Sequence, residues 1–402
     1  MNSPYAEADN TQTSRPEASP RRRSLFAACG AHAVHDGLTD VIYVLLPLWQ
    51  SQFALSYSLV GLLRGSYSGV MAGFQLLASR FARRWGRKRV LVGGTALAGL
   101  SYLIASQANG IGWLLLALVL GGLGASTQHP LASSLVADSQ QDGGKVKEAL
   151  SHYNFAGDIG KTLIPGLIGL LLVVASWQAG AALIGLLGMG AAALLWWLIP
   201  RNQGSDTNRP KNSAGKAAAP RGGMWALQAT GIIDSAVRMG FLTFLPFLLS
   251  SKGAGTAGIG VALSLLFVGG AFGKLLCGYL GARVGMMKTV WLTEGTTSLC
   301  ILLAVWLPLS WLMMMLPLLG LALNGTSSVL YGTVPELAGS EKRDHAFALF
   351  YTGTIGAGAL SPVLFGHLGD LSGVPAALQM LAAFLLLTLP LSWKVQNSLD
   401  AG

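Results

Sequence analysis

Charge is scarce in this chain: Asp, Glu, Lys and Arg make up 11% of its 402 residues, while 52% are hydrophobic. A soluble domain carries about 25% charged residues, so a soluble fold of this length is excluded. There are three cysteines, Cys29, Cys277 and Cys300, each inside an apolar run, which excludes a disulfide framework. No loop pairs a nucleophile with a base, and no complete nucleotide motif occurs. The stretch "GDIGKT" ends like a phosphate-binding loop, but Phe155 stands where the leading glycine is required. These absences argue against an enzyme.

What is present is apolar length. Mean hydropathy is +0.53, and runs of about 19 to 25 apolar residues recur, the length a helix needs to cross about 30 Å of hydrocarbon. Twelve spans are expected: 25–49, 57–80, 89–107, 112–137, 148–175 and 179–199, then 224–251, 258–281, 289–307, 311–337, 345–369 and 375–394. Residues 1–24 read as a polar N-terminal tail, 25–199 as a first six-helix half, 200–223 as a polar, basic linker, 224–394 as a second half and 395–402 as a C-terminal tail. Net charge is +10, yet the Lys and Arg residues lie almost wholly in tails and loops on the side of the N-terminus. Lys252 alone falls on the other side, and Arg64, Lys161, Arg238 and Lys274 fall within spans. The basic balance is therefore topogenic rather than a sign of nucleic-acid binding, and it places both termini in the cytoplasm.

The halves repeat weakly. Pro47 in "LLPLW" and Pro246 in "FLPFL" are 199 residues apart, as are Gly86 in "RRWGRKR" and Gly285 in "ARVGMMK"; Pro165 and Pro362 lie 197 apart. Two parallel repeats around a midplane site are a transporter design. The loop "ASRFARRWGRKRVL" resembles the Gly-x-x-x-Asp-Arg-x-Gly-Arg-Arg motif of the major facilitator superfamily through Arg84, Gly86, Arg87 and Lys88, the candidate gating loop. It departs at the acidic position, here Arg83, and at the leading glycine, here Ser79; the second-half copy has Ala282 at the acidic position. Within that superfamily the chain resembles the fosmidomycin resistance branch. The carriers are the His-x-x-His-Asp first helix, "GLLRGSYSGVMAGFQ", "GGLGASTQHPLASSLVAD" with His129-Pro130, and "NFAGDIGKTLIPGLIG". Through Gly160, Pro165 and Gly169 the last of these also resembles the superfamily's antiporter motif, although Ile164 replaces a glycine. The resemblance implies an all-α membrane protein with twelve transmembrane helices in two pseudo-symmetric halves, and efflux.

A charge facing lipid at mid-helix costs about 2.5–3.5 kcal/mol. Nine such residues occur within spans: Asp36, Asp40, Arg64, Asp158, Lys161, Asp234, Arg238, Lys274 and Glu294. They are expected to face the bundle interior, a wet cavity or each other. At about 100° per residue, His32, His35, Asp36 and Asp40 occupy one arc of roughly 140° over about 12 Å of helix. That stripe is open to three readings: an interhelical hydrogen-bond network, substrate or proton handling, or metal ligation, for which only His129 offers an intramembrane addition. Asn154, Asp158, Lys161 and Pro165 share a face, with Asp158 and Lys161 one turn apart, so the pair either neutralises itself or is broken by substrate or proton. Arg64, Tyr67, Ser68, Met71 and Gln75 share another. Under the 199-residue offset Gln75 corresponds to Lys274 and His35 to Asp234, and Arg238 lies one turn from Asp234, as an ion pair would. Arg64 and Lys274 have no acid one turn away; they either contact an anionic substrate or pair across helices with Asp36, Asp40 or Glu294.

The expectation is a monomeric secondary transporter of the cytoplasmic (inner) membrane. It moves a small polar or amphipathic solute by alternating access, coupled to protons as an efflux antiporter; import of an organic anion and a non-transporting receptor are the alternatives. Asp36 and Asp158, assisted by His35 and Asp40, are the candidate proton-coupling residues. Arg64, Gln75, His129, Asn154, Lys161, Asp234, Arg238, Lys274 and Glu294 are the candidates for substrate. Partners are the solute, protons and membrane lipid, with no metal and no cofactor.

Overall fold

The computed structural model describes residues 20–138, 143–199 and 221–400. Apart from short turns those residues are helical, with no strand among them: α1 (Pro20–Asp40), α2 (Ile42–Phe53), α3 (Tyr57–Trp85), α4 (Arg87–Ala105), α5 (Ile111–Ala125), α6 (Gln128–Asp138), α7 (Gly143–Leu171), α8 (Trp177–Leu198), α9 (Arg221–Ser251), α10 (Thr256–Val284), α11 (Met286–Trp306), α12 (Leu309–Ser372), α13 (Val374–Leu385) and α14 (Thr388–Asp400). Three traverses are each built from two consecutive helices. In two of them proline explains the break: Pro130 and Pro390 can neither bond nor clear the carbonyl four residues earlier. The interruptions fall there, at Ser126–Thr127 and Leu386–Leu387. The third lies between α1 and α2, at Val41.

Conversely, α12 is two traverses. Tyr331 and Tyr351 stack with ring centroids 4.8 Å apart, whereas twenty residues of straight helix would separate them by about 30 Å. The chain turns back between Leu309–Ala338 and Leu349–Ser372. Twelve traverses result, and eight helices are long and apolar enough by themselves to cross a bilayer. The helices α1, α3, α4 and α7 are not among those eight, because they carry the polar stripes or the basic loop.

The internal repeat is visible in the backbone. Gly86 and Gly285 break their helix pairs with φ of 89° and 90°, a region open to glycine at little cost. Ala54 and Gly253, again 199 residues apart, end α2 and α9 with positive φ. Most of the expected linker, 200–223, lies outside the described residues, as do residues 1–19 of the N-terminal tail; helix begins at Pro20 and resumes at Arg221. Within the expected C-terminal tail, 395–402, α14 continues through Asp400, with Val395 buried and Leu399 packed against the same apolar cluster.

Burial shows how the halves meet. One large apolar cluster joins both, from Leu38, Trp49 and Leu63 to Phe244, Leu263 and Leu381. Toward the chain termini it gives way to two separate clusters, one within the first half around Ala28, Leu135 and Leu195, the other within the second around Leu227, Val290 and Val334. Glycines along α3 trace the same divergence. A Cβ at Gly61 would collide with the Pro362 carbonyl, one at Gly65 would lie 2.5 Å from the Ala359 oxygen, one at Gly69 would lie 3.7 Å from the Ala359 Cβ, and one at Gly73 would meet nothing within 4 Å. Small residues let membrane helices approach closely, so the halves are in contact at the far end and splay toward the end bearing the termini.

At the closed end, Asp370 accepts hydrogen bonds from the backbone N–H groups of Tyr57 (2.6 Å) and Ser58 (2.9 Å) and from the Ser58 hydroxyl. A carboxylate from the second half thus caps the N-terminus of α3 in the first, where unpaired N–H groups and the helix dipole favour negative charge. Substituting Gly61→Val is expected to wedge α3 away from Pro362 at a cost of about 1–3 kcal/mol. A lower thermal unfolding midpoint in detergent would register it, and Gly73→Val, which meets open space, should leave the midpoint unchanged.

Candidate functional site

Between the halves lies a cavity of about 320 Å³, within the size range of small-molecule sites. Its first-half wall holds His35, Asp36, Asp40, Arg64, His129, Asp158 and Lys161; its second-half wall holds Arg238 and Lys274 together with Ser235, Met239, Asn324 and Tyr331. The helical stripes turn inward, as the cost of exposing charge to lipid requires. Four cations face three carboxylates across this space.

The pairings differ from those the spacing suggests. Asp158 and Lys161, one turn apart on α7, do not bond each other. Lys161 Nζ instead reaches Asp36 Oδ2 on α1 at 3.2 Å. Asp158 Oδ1 crosses to Lys274 Nζ on α10 at 2.5 Å, a salt bridge between the halves. The self-neutralising α7 pair is therefore corrected, and Lys274 pairs with none of Asp36, Asp40 or Glu294. The reason is reach: on α7 the two side chains point to different neighbours, each of which presents an opposite charge nearer than the helix's own. Arg238 does bond Asp234 one turn away, at 2.7 Å.

Arg64 differs from the other cations. It is 2% exposed, with no carboxylate within 4 Å among the described residues. Its guanidinium donates to Tyr43 OH (2.9 Å) and Ser68 Oγ (2.5 Å) and lies over the rings of Tyr43 and Tyr67, 4.7 and 5.7 Å from their centroids. Cation–π contact and hydroxyl acceptors hold the charge without neutralising it, and Nε has no partner. Asp40, 7% exposed, lines the cavity likewise without an ion pair within 4 Å among the described residues.

His35 Nε2 is 3.9 Å from Asp36 Oδ1, and His32 Nε2 is 3.3 Å from Asp36 Oδ2. His129, in the first turn of α6 beside the Pro130 break, sets its ring edge-on to both, with centroids 5.4 Å from His32 and 5.1 Å from His35. One ligand-type atom from each of His32, Asp36 and His129 lies within 4.8 Å of the others.

Four candidate substrate residues do not line the cavity. Glu294 is 1% exposed, and its Oε1 has no hydrogen-bond partner among the described residues. Gln75 lies eleven residues beyond Arg64, about 16 Å along α3 toward the splayed end. Asn154 is exposed one turn before Asp158. Asp234 borders a small crevice beside the cavity, with Arg238 and Tyr331. In the basic loop, Arg84 is exposed, Arg87 borders a groove with Ser79 and Pro130, and Lys88 donates to the Ile199 carbonyl at the end of α8 and lies over the Trp196 ring. That contact ties the loop to a helix C-terminus, where cations are favoured.

Sequence reasoning missed Tyr43, Thr39, Tyr331 and Asn324. Tyr43 lies three residues after Asp40, so extending the stripe by one turn finds it. It also crosses the divide, its hydroxyl 3.9 Å from Met239 Sδ.

With this geometry in view, the comparisons with known proteins are specific. The sequence matches the Major Facilitator Superfamily over residues 28–326 and 227–398. It is 20% identical over 365 residues to the fosmidomycin resistance protein of Escherichia coli (strain K12), covering 87% of this chain and 88% of that one. It is 31% identical over 128 residues to the cephamycin export protein CmcT of Amycolatopsis lactamdurans, which covers 32% of this chain and 26% of that one. The fold is shared with a bacterial homologue of the human lysosomal transporter Spinster in its inward-facing, unoccupied conformation (TM-score 0.78, 16% identity, 96% of this chain and 98% of that one). It is shared also with a point mutant of the nucleoside transporter NupG (TM-score 0.74, 12% identity, 94% and 100%). A family match that runs from the first helix to the last, on a twelve-traverse fold, places this chain in the major facilitator superfamily, as a multi-pass membrane transporter and not an enzyme.

Proposed function

We propose that the protein exports a small polar or amphipathic solute bearing an anionic group, in exchange for protons, by alternating access across the cytoplasmic membrane. The observation that carries this reading is the charge arrangement of the central cavity. Arg64 lines it without an ion pair within 4 Å among the described residues, its charge held by aromatic faces and hydroxyls rather than by an acid. A buried cation so held is satisfied by an arriving anion.

Basic loops at the end bearing the termini support a cytoplasmic placement of that end, and the cavity then opens to the cytoplasm, from which an exporter loads. Asp36 holds Lys161, and Asp158 holds Lys274 across the halves. A proton on either carboxylate removes the charge that keeps its lysine in place. Protonation of Asp158 frees the bridge between the halves; protonation of Asp36 frees Lys161 to join Arg64 on the substrate. The names of two relatives, one for resistance and one for export of an antibiotic, support the outward direction.

In proteoliposomes under an imposed pH gradient, addition of phosphonates or other organic anions is expected to trigger proton flux. Asp36→Asn and Asp158→Asn should each lose most of it, and full pH-driven flux in both variants would remove the coupling assignment. Charge reversal at Asp158→Lys or Lys274→Asp alone is expected to abolish transport, and the double reversal to restore part of it, because the interaction is pairwise. Cells expressing the wild type should accumulate less of the transported compound; greater accumulation would instead favour import. Asp370→Ala should loosen the closed end, read as faster labelling of a cysteine placed at Ala359 from the side opposite the termini.

A further inference from the structure

His32 is held in a single tautomer. Its Nδ1 is 2.8 Å from the Tyr153 carbonyl oxygen, and a carbonyl only accepts, so Nδ1 carries the hydrogen and the neutral ring has its lone pair on Nε2. The ring is 4% exposed and stacked on Tyr153 with centroids 4.0 Å apart, which fixes its plane. Nε2 has no hydrogen-bond partner and faces Asp36 Oδ2 at 3.3 Å. An Nε2 lone pair and a carboxylate so close call for a cation between them, either a proton on Nε2 or a metal ion. Lys161 supplies one to Asp36 but makes no bond to His32.

His129 completes a set of three. Its ligand-type atom lies within 4.8 Å of those of His32 and Asp36, and ligands about 2.1 Å from a tetrahedral ion stand about 3.4 Å apart, so modest side-chain rotation closes the set. His129 lines the cavity, which supplies an entry path and leaves one coordination position open. Space is also reserved: a Cβ at Gly157 would stand 2.6 Å from Asp36 Oδ2 and 2.7 Å from His32 Cε1. A metal-binding histidine commonly donates its second nitrogen to a backbone carbonyl, as His32 does to Tyr153. Two imidazoles and one carboxylate suit a borderline divalent ion rather than a hard one such as Mg²⁺ or Ca²⁺.

We propose that His32, Asp36 and His129 form a binding site for a divalent transition-metal ion such as Zn²⁺, Co²⁺ or Ni²⁺, which competes with the Lys161 ammonium for Asp36. Binding stands on this geometry whether or not Asp36 couples protons, so a measurement without a gradient separates the two.

The full chain, purified without a polyhistidine tag, would be titrated with Co²⁺ alone and followed by visible absorption, then back-titrated with Zn²⁺. The expected result is one saturable site with the intense bands of tetrahedral Co²⁺, discharged by Zn²⁺. His32→Gln and His129→Gln should each weaken it by about 10–100-fold, and Gly157→Ala should weaken it by crowding. Lys161→Gln should tighten it, because the competing ammonium is gone, an outcome that misfolding would not produce. His367→Gln, at the far end of its traverse, should change nothing. The site is refuted by weak octahedral-type bands in the wild type, by binding indifferent to His32→Gln and His129→Gln, or by equal loss in His367→Gln.

Discussion

The cost of leaving charge in hydrocarbon governs this molecule. Nine charged residues lie at mid-helix within its spans, and each unpaired one in lipid would cost about 2.5–3.5 kcal/mol even on insertion scales. The fold answers by turning the polar faces of α1, α3 and α7 toward those of α9 and α10, so that the charges meet across a shared interior. The cavity is a consequence of that requirement as much as a provision for solute. Apolar side chains and close-packed glycines then cover the remaining surface of each half.

The same requirement explains why the charges are arranged in chains rather than isolated pairs. Asp36 is contacted by His32, His35 and Lys161 at once, so moving any one partner shifts the load onto the others. Asp158 and Lys274 are the point at which this network crosses between the halves. A bond across the divide between two bodies that touch at one end and diverge at the other is well placed to report occupancy to both. Arg64 stands apart, stabilised by Tyr43, Tyr67 and Ser68 without an acid, which keeps its charge available in the cavity.

At the closed end the forces are of another kind. There the halves are joined by glycine contacts along α3 and by Asp370 capping the first turn of the same helix. Close packing of small residues and a single exposed carboxylate form a contact that can separate without stranding a buried charge. At the splayed end each half keeps its own apolar cluster, so opening there leaves both halves internally packed. The two ends thus differ in how they hold, as two halves that exchange contacts would need.

Helix periodicity is local, and for that reason the stripes on α1, α3 and α7, the break at Gly86 and its copy at Gly285, and the twelve traverses were all legible in the sequence. Amphipathic pattern and hydrophobic length follow from 3.6 residues per turn and the bilayer thickness, whatever the neighbours are. Partner choice is not local. Lys161 turns to Asp36 and Asp158 to Lys274 because α7 is packed between α1 and α10, and no spacing within α7 contains that fact. Depth is likewise tertiary: Gln75 and Asn154 share faces with cavity residues yet lie beyond its end, while Glu294 is buried away from the cavity. The amino-acid sequence by itself determined which residues must avoid lipid; only the packing of helices against one another decided which of them meet, because those distances are set across the bundle rather than along the chain.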